Sequence, residues 1–289
     1  MAAMPIRSCF LSLCAVALVL GSTACTTPLA RQARPLLLPA DIVLLGEQHD
    51  APEHQVWEKE LVQWLADSGA LAALVLEMAE HGRSTEELAP DASEAAVQKA
   101  LFWNDSAWPW AAYGPVAMAA VRAGVPVLGG NLPRKLLNTA TANAALDSQL
   151  SETNWLRQLR AVREGHCNLL PEKILPSMVR VQIARDMQLA DTAAAAAAKA
   201  PSGKVVVVVS GVGHALRNLG APLYLPKHLV SKVALAQSEP AQAAIEKEAD
   251  WIYLTPALPD NDACAPLRPS PPPPSNQDKN DYNGPAYKF

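Results

Sequence analysis

Short, nearly continuous apolar runs recur along this chain and alternate with stretches of helical spacing. The runs at 41–46, 71–77 and 125–129 come first, 204–210 with its five consecutive valines is the strongest, and weaker ones follow at 232–236 and 251–254. Apolar runs of this length without polar alternation mark strands buried on both faces. After the first run, Asp50 with Glu53 three residues on has the form of a capping box. Val56, Trp57, Leu61, Trp64 and Leu65 then fall on one side of the helix it would start. Further helices are predicted at 93–102, 115–123, 133–146 and 171–200, the last ending in the alanine run 193–198. Strand alternating with helix predicts an α/β fold: a mostly parallel central sheet flanked by helices, with right-handed crossovers. No strand signal falls between about 132 and 200, so that stretch is expected to be a helical insertion or cap.

The two ends stand apart from this pattern. Arg7 precedes an apolar run at 9–20 and small residues lead to Cys25, which together predict a secretory signal peptide over 1–24. The run is shorter than the roughly 20 apolar residues that span a bilayer as a helix. Ser22-Thr23-Ala24-Cys25 has the small-residue form of a bacterial lipobox, with Cys25 as the lipidated residue, and Thr26 favours the outer membrane. Residues 26–40 are expected to be a linker and 41–265 the folded domain. The tail 266–289, with Pro269 and Pro271 to Pro274, reads as polyproline and disordered. With Cys9, Cys14 and Cys25 assigned to the signal and anchor, Cys167 and Cys264 remain in the domain. An oxidising envelope compartment permits a bridge between them, and two separate thiols are the alternative.

Composition narrows the classes of function. With 50% hydrophobic and 18% charged residues among 289, the chain can bury a sizeable core. A net charge of −4, from 24 basic and 28 acidic residues, provides no basic footprint for nucleic acid.

Ligands of open parallel sheets bind beyond the carboxyl ends of the strands, so the residues just after each run carry the candidate chemistry. The first run leads into Gly46-Glu47-Gln48-His49-Asp50, the second ends at Glu77, the third gives Gly129-Gly130-Asn131, and the fourth leads into Ser210-Gly211-Val212-Gly213-His214. Two are Gly-x-x-His, in which glycine permits a tight turn and the imidazole points back across the crevice. His49, His214 and Glu77 form a donor set for a divalent metal. With Glu47 added, the same residues could instead form a metal-free acid–base set, or serve as caps and a buried hydrogen-bond network. His54 reads as packing or support, and Glu80 and His81 as solvated. The aromatic cluster Phe102, Trp103, Trp108, Trp110 and Tyr113 is either a satellite core or the wall of a site for a flat apolar ligand. Arg185, on the long helix, could meet a carboxylate of the site or a ligand propionate. No GxSxG, HExxH, Walker or GxGxxG pattern occurs.

Six ordered motifs carry a family resemblance: Leu44 to Asp50, Leu76-Glu77-Met78, Trp110-x-x-Tyr113, Gly130-Asn131-Leu132-Pro133-Arg134, Gln182-x-x-Arg185-Asp186 and Gly211-x-Gly213-His214. Over 41–256 the chain resembles the ChaN lipoproteins of the haem-binding-uptake and Tiki superfamily, more remotely related to erythromycin esterases. The resemblance implies a haem-binding, iron-linked lipoprotein, lipid-anchored in a Gram-negative envelope and facing the periplasm from the outer membrane. It also implies that His49, His214, Glu47 and Glu77 take the family's GxxH and glutamate positions. In Tiki relatives these positions are associated with metal-dependent peptide cleavage, so a metal-dependent hydrolase is the alternative. Haem iron usually takes His, Tyr, Met or Cys, which makes Tyr113 and His166 candidate ligands, with Trp110 and Arg185 as further haem contacts. A homodimer would suit a flat apolar site.

Overall fold

The computed structural model describes residues 28–259 and 264–265. The signal peptide, Cys25 and the tail after 265 lie outside the described residues. Six strands, β1 (Ile42–Glu47), β2 (Leu71–Glu80), β3 (Val127–Asn131), β4 (Val205–Gly211), β5 (Ser231–Ser238) and β6 (Trp251–Thr255), form one sheet in the order β3-β2-β4-β1-β5-β6. Every pairing is parallel. The two central strands, β1 and β4, are buried at every position, as their unbroken apolar runs require.

Alternate residues of each strand serve opposite layers. Val43, Leu45, Val207 and Val209 join a core built with α1 (Pro28–Leu37), α2 (Pro52–Asp67), α3 (Glu94–Leu101) and α4 (Trp110–Arg122). Ile42, Leu44, Val206 and Val208 join a second core built with α5 (Leu137–Ala142), α6 (Glu152–Gly165) and α7 (Leu175–Lys199). The stretch 132–200 is helical throughout, as expected, but α7 lies against the sheet as a crossover helix, with α5 and α6 packed on its far side. A short α8 (Val212–Ala215) follows β4, and α9 (Ala243–Glu246) precedes β6. No described helix is long and apolar enough to cross a membrane.

Several local expectations change. Residues 28–37, within the expected linker, form α1 and place Ala30, Ala33 and Leu37 in the interior, so the folded unit begins before 41. Asp50 does not cap α2. The cap is Ala51 without a side-chain bond, and Pro52, pre-set for the first helical position, starts the helix. Val56 is 58% exposed, while His54, Gln55 and Glu58 are buried, because the first turns of α2 face a polar crevice and not the apolar core. The helix expected at 133–146 is broken at Asn143, whose side chain caps a 3-10 turn at Ala144–Gln149. Helix α4 starts at Trp110 and carries Pro115 inside it; Asp105 accepts the Trp110 amide hydrogen at 2.7 Å. Cys167 and Cys264 form a disulfide, tying the segment after β6 to the turn after α6.

Strand β3 depends on close backbone approach. A Cβ on Gly129 would lie 2.0 Å from the carbonyl oxygen of Glu80, where β2 shifts register against β3. Gly129→Ala is therefore expected to lose about 3 kcal/mol or more in denaturant unfolding, through displaced backbone. Gly213→Ala, where a Cβ meets nothing within 4 Å, should stay within about 0.5 kcal/mol of the parent.

Candidate functional site

The sheet order puts the chemistry of three strands side by side. Because β4 sits between β1 and β2, Glu47 pairs with Gly211, and Leu76, just before Glu77, pairs with Val209. The structure thereby brings Glu47, His49, Glu77 and His214 together beyond one edge of the sheet.

Two histidine–carboxylate groups result. In the first, Glu47 Oε1 lies 2.7 Å from His49 Nδ1 and accepts the Tyr113 hydroxyl at 2.7 Å, while its other oxygen accepts the Gln55 amide. In the second, His214 is held between Asp186 Oδ1, 2.6 Å from Nδ1, and Glu77 Oε1, 3.4 Å from Nε2. Glu77 Oε2 accepts the backbone N–H of Gly211 at 2.8 Å. The groups meet at Gly211, where a Cβ would lie 2.7 Å from His49 Nε2. The second GxxH glycine thus makes room for the histidine of the first.

The electrostatics follow from burial opposed by pairing. Burial works against protonation of His214, but Glu77 and Asp186 outweigh it and raise its pKa well above the usual imidazole value. His49 is desolvated too, and its bond to Glu47 with the nearby Glu77 charge leaves its pKa raised. Burial pushes the Glu77 carboxyl up, yet His214, His49 and the Gly211 amide bring it down to about 2. Asp186 goes the other way, because burial is only partly offset by His214 and pushes it up to about 6. Tyr113 is raised by burial and by Glu47, which keeps it a neutral donor. Glu58, fully buried beside this group, is raised well above the carboxylate range by burial and then by Glu47. His54 accepts the Gln48 amide hydrogen on Nδ1 at 3.0 Å, so its Nε2–H faces Thr255 Oγ1 at 3.0 Å, and burial lowers its pKa: it is a structural imidazole.

This arrangement does not fit the expected divalent ion. Both nitrogens of His214 face carboxylates, and His49 Nδ1 faces Glu47 and Tyr113. Among the described residues, no group of three or more His, Cys, Asp or Glu is placed to hold a metal.

Beside the charged edge opens a cavity of about 1010 Å3, lined by residues that include Met78, Phe102, Trp103, Trp108, Arg134 and Arg185. Trp108 belongs to both features, since its ring meets His49 edge-on with centroids 4.8 Å apart. The aromatic cluster is layered. Trp103 and Trp108 face the cavity, while Trp110 and Tyr113 stand behind them and bond to Glu94 and Glu47. Tyr113 and Trp110 therefore do not line the cavity. Nor does His166, whose Nδ1 lies 2.7 Å from the Val162 carbonyl at the end of α6. Arg185 does line it. Asp186, Gln55, Asn131 and Arg134 complete the surroundings. Asp186, Asn131 and Arg134 stand inside the recognised motifs, but nothing in their local spacing distinguishes them from a solvated helix face or a loop.

Fold and site together define an α/β protein with a histidine–carboxylate network at the carboxyl edge of a parallel sheet and an aromatic cavity beside it. The model of the family described as "Haem-binding uptake, Tiki superfamily, ChaN" matches residues 36–225, well over half of the chain, and the chain belongs to that family. Among solved structures it is similar to ChaN of Campylobacter jejuni, described with cofacial haem binding, at 21% identity and a TM-score of 0.59 over 74% of this chain and 86% of that one. Weaker likenesses are to the type III effector HopBA1 (16% identity, TM-score 0.40, 75% and 88% covered) and to erythromycin esterase EreC (11%, 0.44, 73% and 75%). No curated protein matches the chain.

Two substitutions probe the network. His214→Ala leaves Glu77 and Asp186 buried without their cation and is expected to cost about 3–5 kcal/mol in urea unfolding. The lowered pKa of Glu77 stabilises the fold fully above pH 4.5 and progressively less as pH falls toward 2. Relative to Glu77→Gln, the parent should therefore lose about 3 kcal/mol across that window. The raised pKa of Asp186 acts with opposite sign between 3.8 and about 6, so Asp186→Asn should flatten the pH dependence there.

Proposed function

We propose that the protein binds haem in the cavity beside the sheet edge, as a lipoprotein anchored through Cys25 in the outer membrane and facing the periplasm. Family membership supports haem, and one feature of this chain carries the reading: an aromatic wall and three cations meet in a cavity of porphyrin scale. Trp103, Trp108 and Phe102 supply flat faces, and Lys99, Arg134 and Arg185 supply positive charge. Among the described residues none of these three cations has a side-chain ion pair; the salt-bridged arginines and lysine are others. An unpaired cation on an apolar cavity suits a carboxylate carried by the ligand. Phe102, 74% exposed and left-handed at the end of α3, stacks beneath Arg83 at 4.6 Å and stands where a porphyrin or a second copy of the chain would cover it. For the iron, Tyr113 is buried and committed to Glu47, whereas Met78 lines the cavity with a donor of the type that ligates haem.

The charged edge supports a second reading, hydrolysis by acid–base chemistry at His49. The supporting observation is that His49 is oriented by Glu47 and keeps 39% of its side chain exposed. In this reading His49 handles the proton of an attacking water, without a metal.

Haem titration of the full-length chain in detergent, followed in the Soret band, is expected to saturate at a fixed stoichiometry. Phe102→Ala, which removes one exposed ring, should weaken binding about tenfold. Absence of saturable binding defeats the haem reading. Ester hydrolysis that survives chelator and disappears in His49→Ala would establish the second.

A further inference from the structure

Two polar atoms of the cavity wall are buried without any partner in the protein: Arg185 Nε, a donor, and Asn131 Oδ1, an acceptor. Neither side chain is free to swing away. Asn131 Nδ2 donates to the Glu77 carbonyl at 2.9 Å, and Arg185 sits on α7 immediately before Asp186, which is fastened to His214. A buried donor or acceptor left unpaired costs about 1–3 kcal/mol, so a rigid wall that keeps one of each is matched to a group that a ligand brings. A carboxyl group meets both needs. Its oxygen accepts from the guanidinium, and its acidic hydrogen, or that of a water bound to it, satisfies the asparagine oxygen. Arg134 and Lys99 remain in the same cavity for a second acid group. Glu80, the one carboxylate among the described lining residues, accepts the Arg134 amide hydrogen at 3.2 Å.

We propose that Arg185 and Asn131 form a seat for one carboxyl group of a dicarboxylic tetrapyrrole, with Arg134 and Lys99 serving the other, so that the site selects porphyrins by their acid side chains and flat face and not by the central iron. This rests on the haem reading and extends its ligand class to iron-free porphyrin diacids.

The experiment titrates the full-length chain with haem, iron-free protoporphyrin IX and protoporphyrin IX dimethyl ester, each against the parent, Arg185→Gln and Arg185→Lys. Haem and the iron-free diacid are expected to bind within about threefold of each other, with the diester at least about tenfold weaker. Arg185→Gln should lose about tenfold for the diacids while leaving the diester unchanged. Arg185→Lys should recover only part of that loss, because an ammonium lacks the guanidinium fork. If haem binds and the iron-free diacid does not, the iron provides the hold: the proposal falls and the haem reading stands. If Arg185→Gln weakens diacid and diester alike, the arginine is structural and the proposal falls. If none of the three ligands binds, the haem reading falls, and the proposal with it.

Discussion

Burial of the Glu77 carboxylate between the Gly211 amide and the His214 ring is the interaction on which the surrounding structure depends. A charge in that position is costly unless cations and donors surround it. The sheet provides the amide, α8 provides the imidazole, and α7 adds Asp186 on the far side of the ring. Three elements distant in sequence are thereby locked to one carboxyl edge. The glycine at 211 is needed twice, once for its donor and once for its missing Cβ, which would press on His49.

The same requirement explains why α2 breaks the usual pattern of an amphipathic helix. Its inward face near β1 carries His54, Gln55 and Glu58, and only further along do Trp57, Leu61, Val62 and Leu65 join the apolar core. A helix whose first turns meet a charged crevice and whose later turns meet a hydrophobic layer must change polarity along its length. Glu58 resolves the conflict by staying protonated, since no cation reaches it among the described residues and Glu47 lies close by.

The cavity inherits its order from this network. Trp108 packs on His49, Met78 follows Glu77, Arg185 precedes Asp186, and the Asn131 amide holds the Glu77 carbonyl. The ligand wall is therefore one residue removed from buried charge at four points, and its side chains are held by the network more than by their own loops. Residues placed this way keep unpaired polar atoms pointed at the cavity, which a mobile loop would relax.

Much of the architecture was legible in the chain itself. All six strands, the parallel sheet and the helical 132–200 stretch follow from one-dimensional periodicity, because strands buried on both faces must be apolar throughout. The Gly-x-x-His pairs and Glu77 were legible too, as they end those strands. Neighbour relations were not. Nothing in the run at 204–210 says that it enters between the first two strands, yet that placement sets Gly211 against Glu47 and brings both histidines together. Asp186, Gln55 and Glu58 read as ordinary helix polar positions until the crevice they face exists. The aromatic cluster could be found but not divided into wall and backing, and the pairing of Cys167 with Cys264 was one of two open possibilities. The sequence by itself determined which segments are strand and helix and which residue types stand at the strand ends, because those depend on local period and turn chemistry. Only the tertiary structure decided which of these residues touch, since contact between them is set by crossovers that bring together positions more than a hundred residues apart.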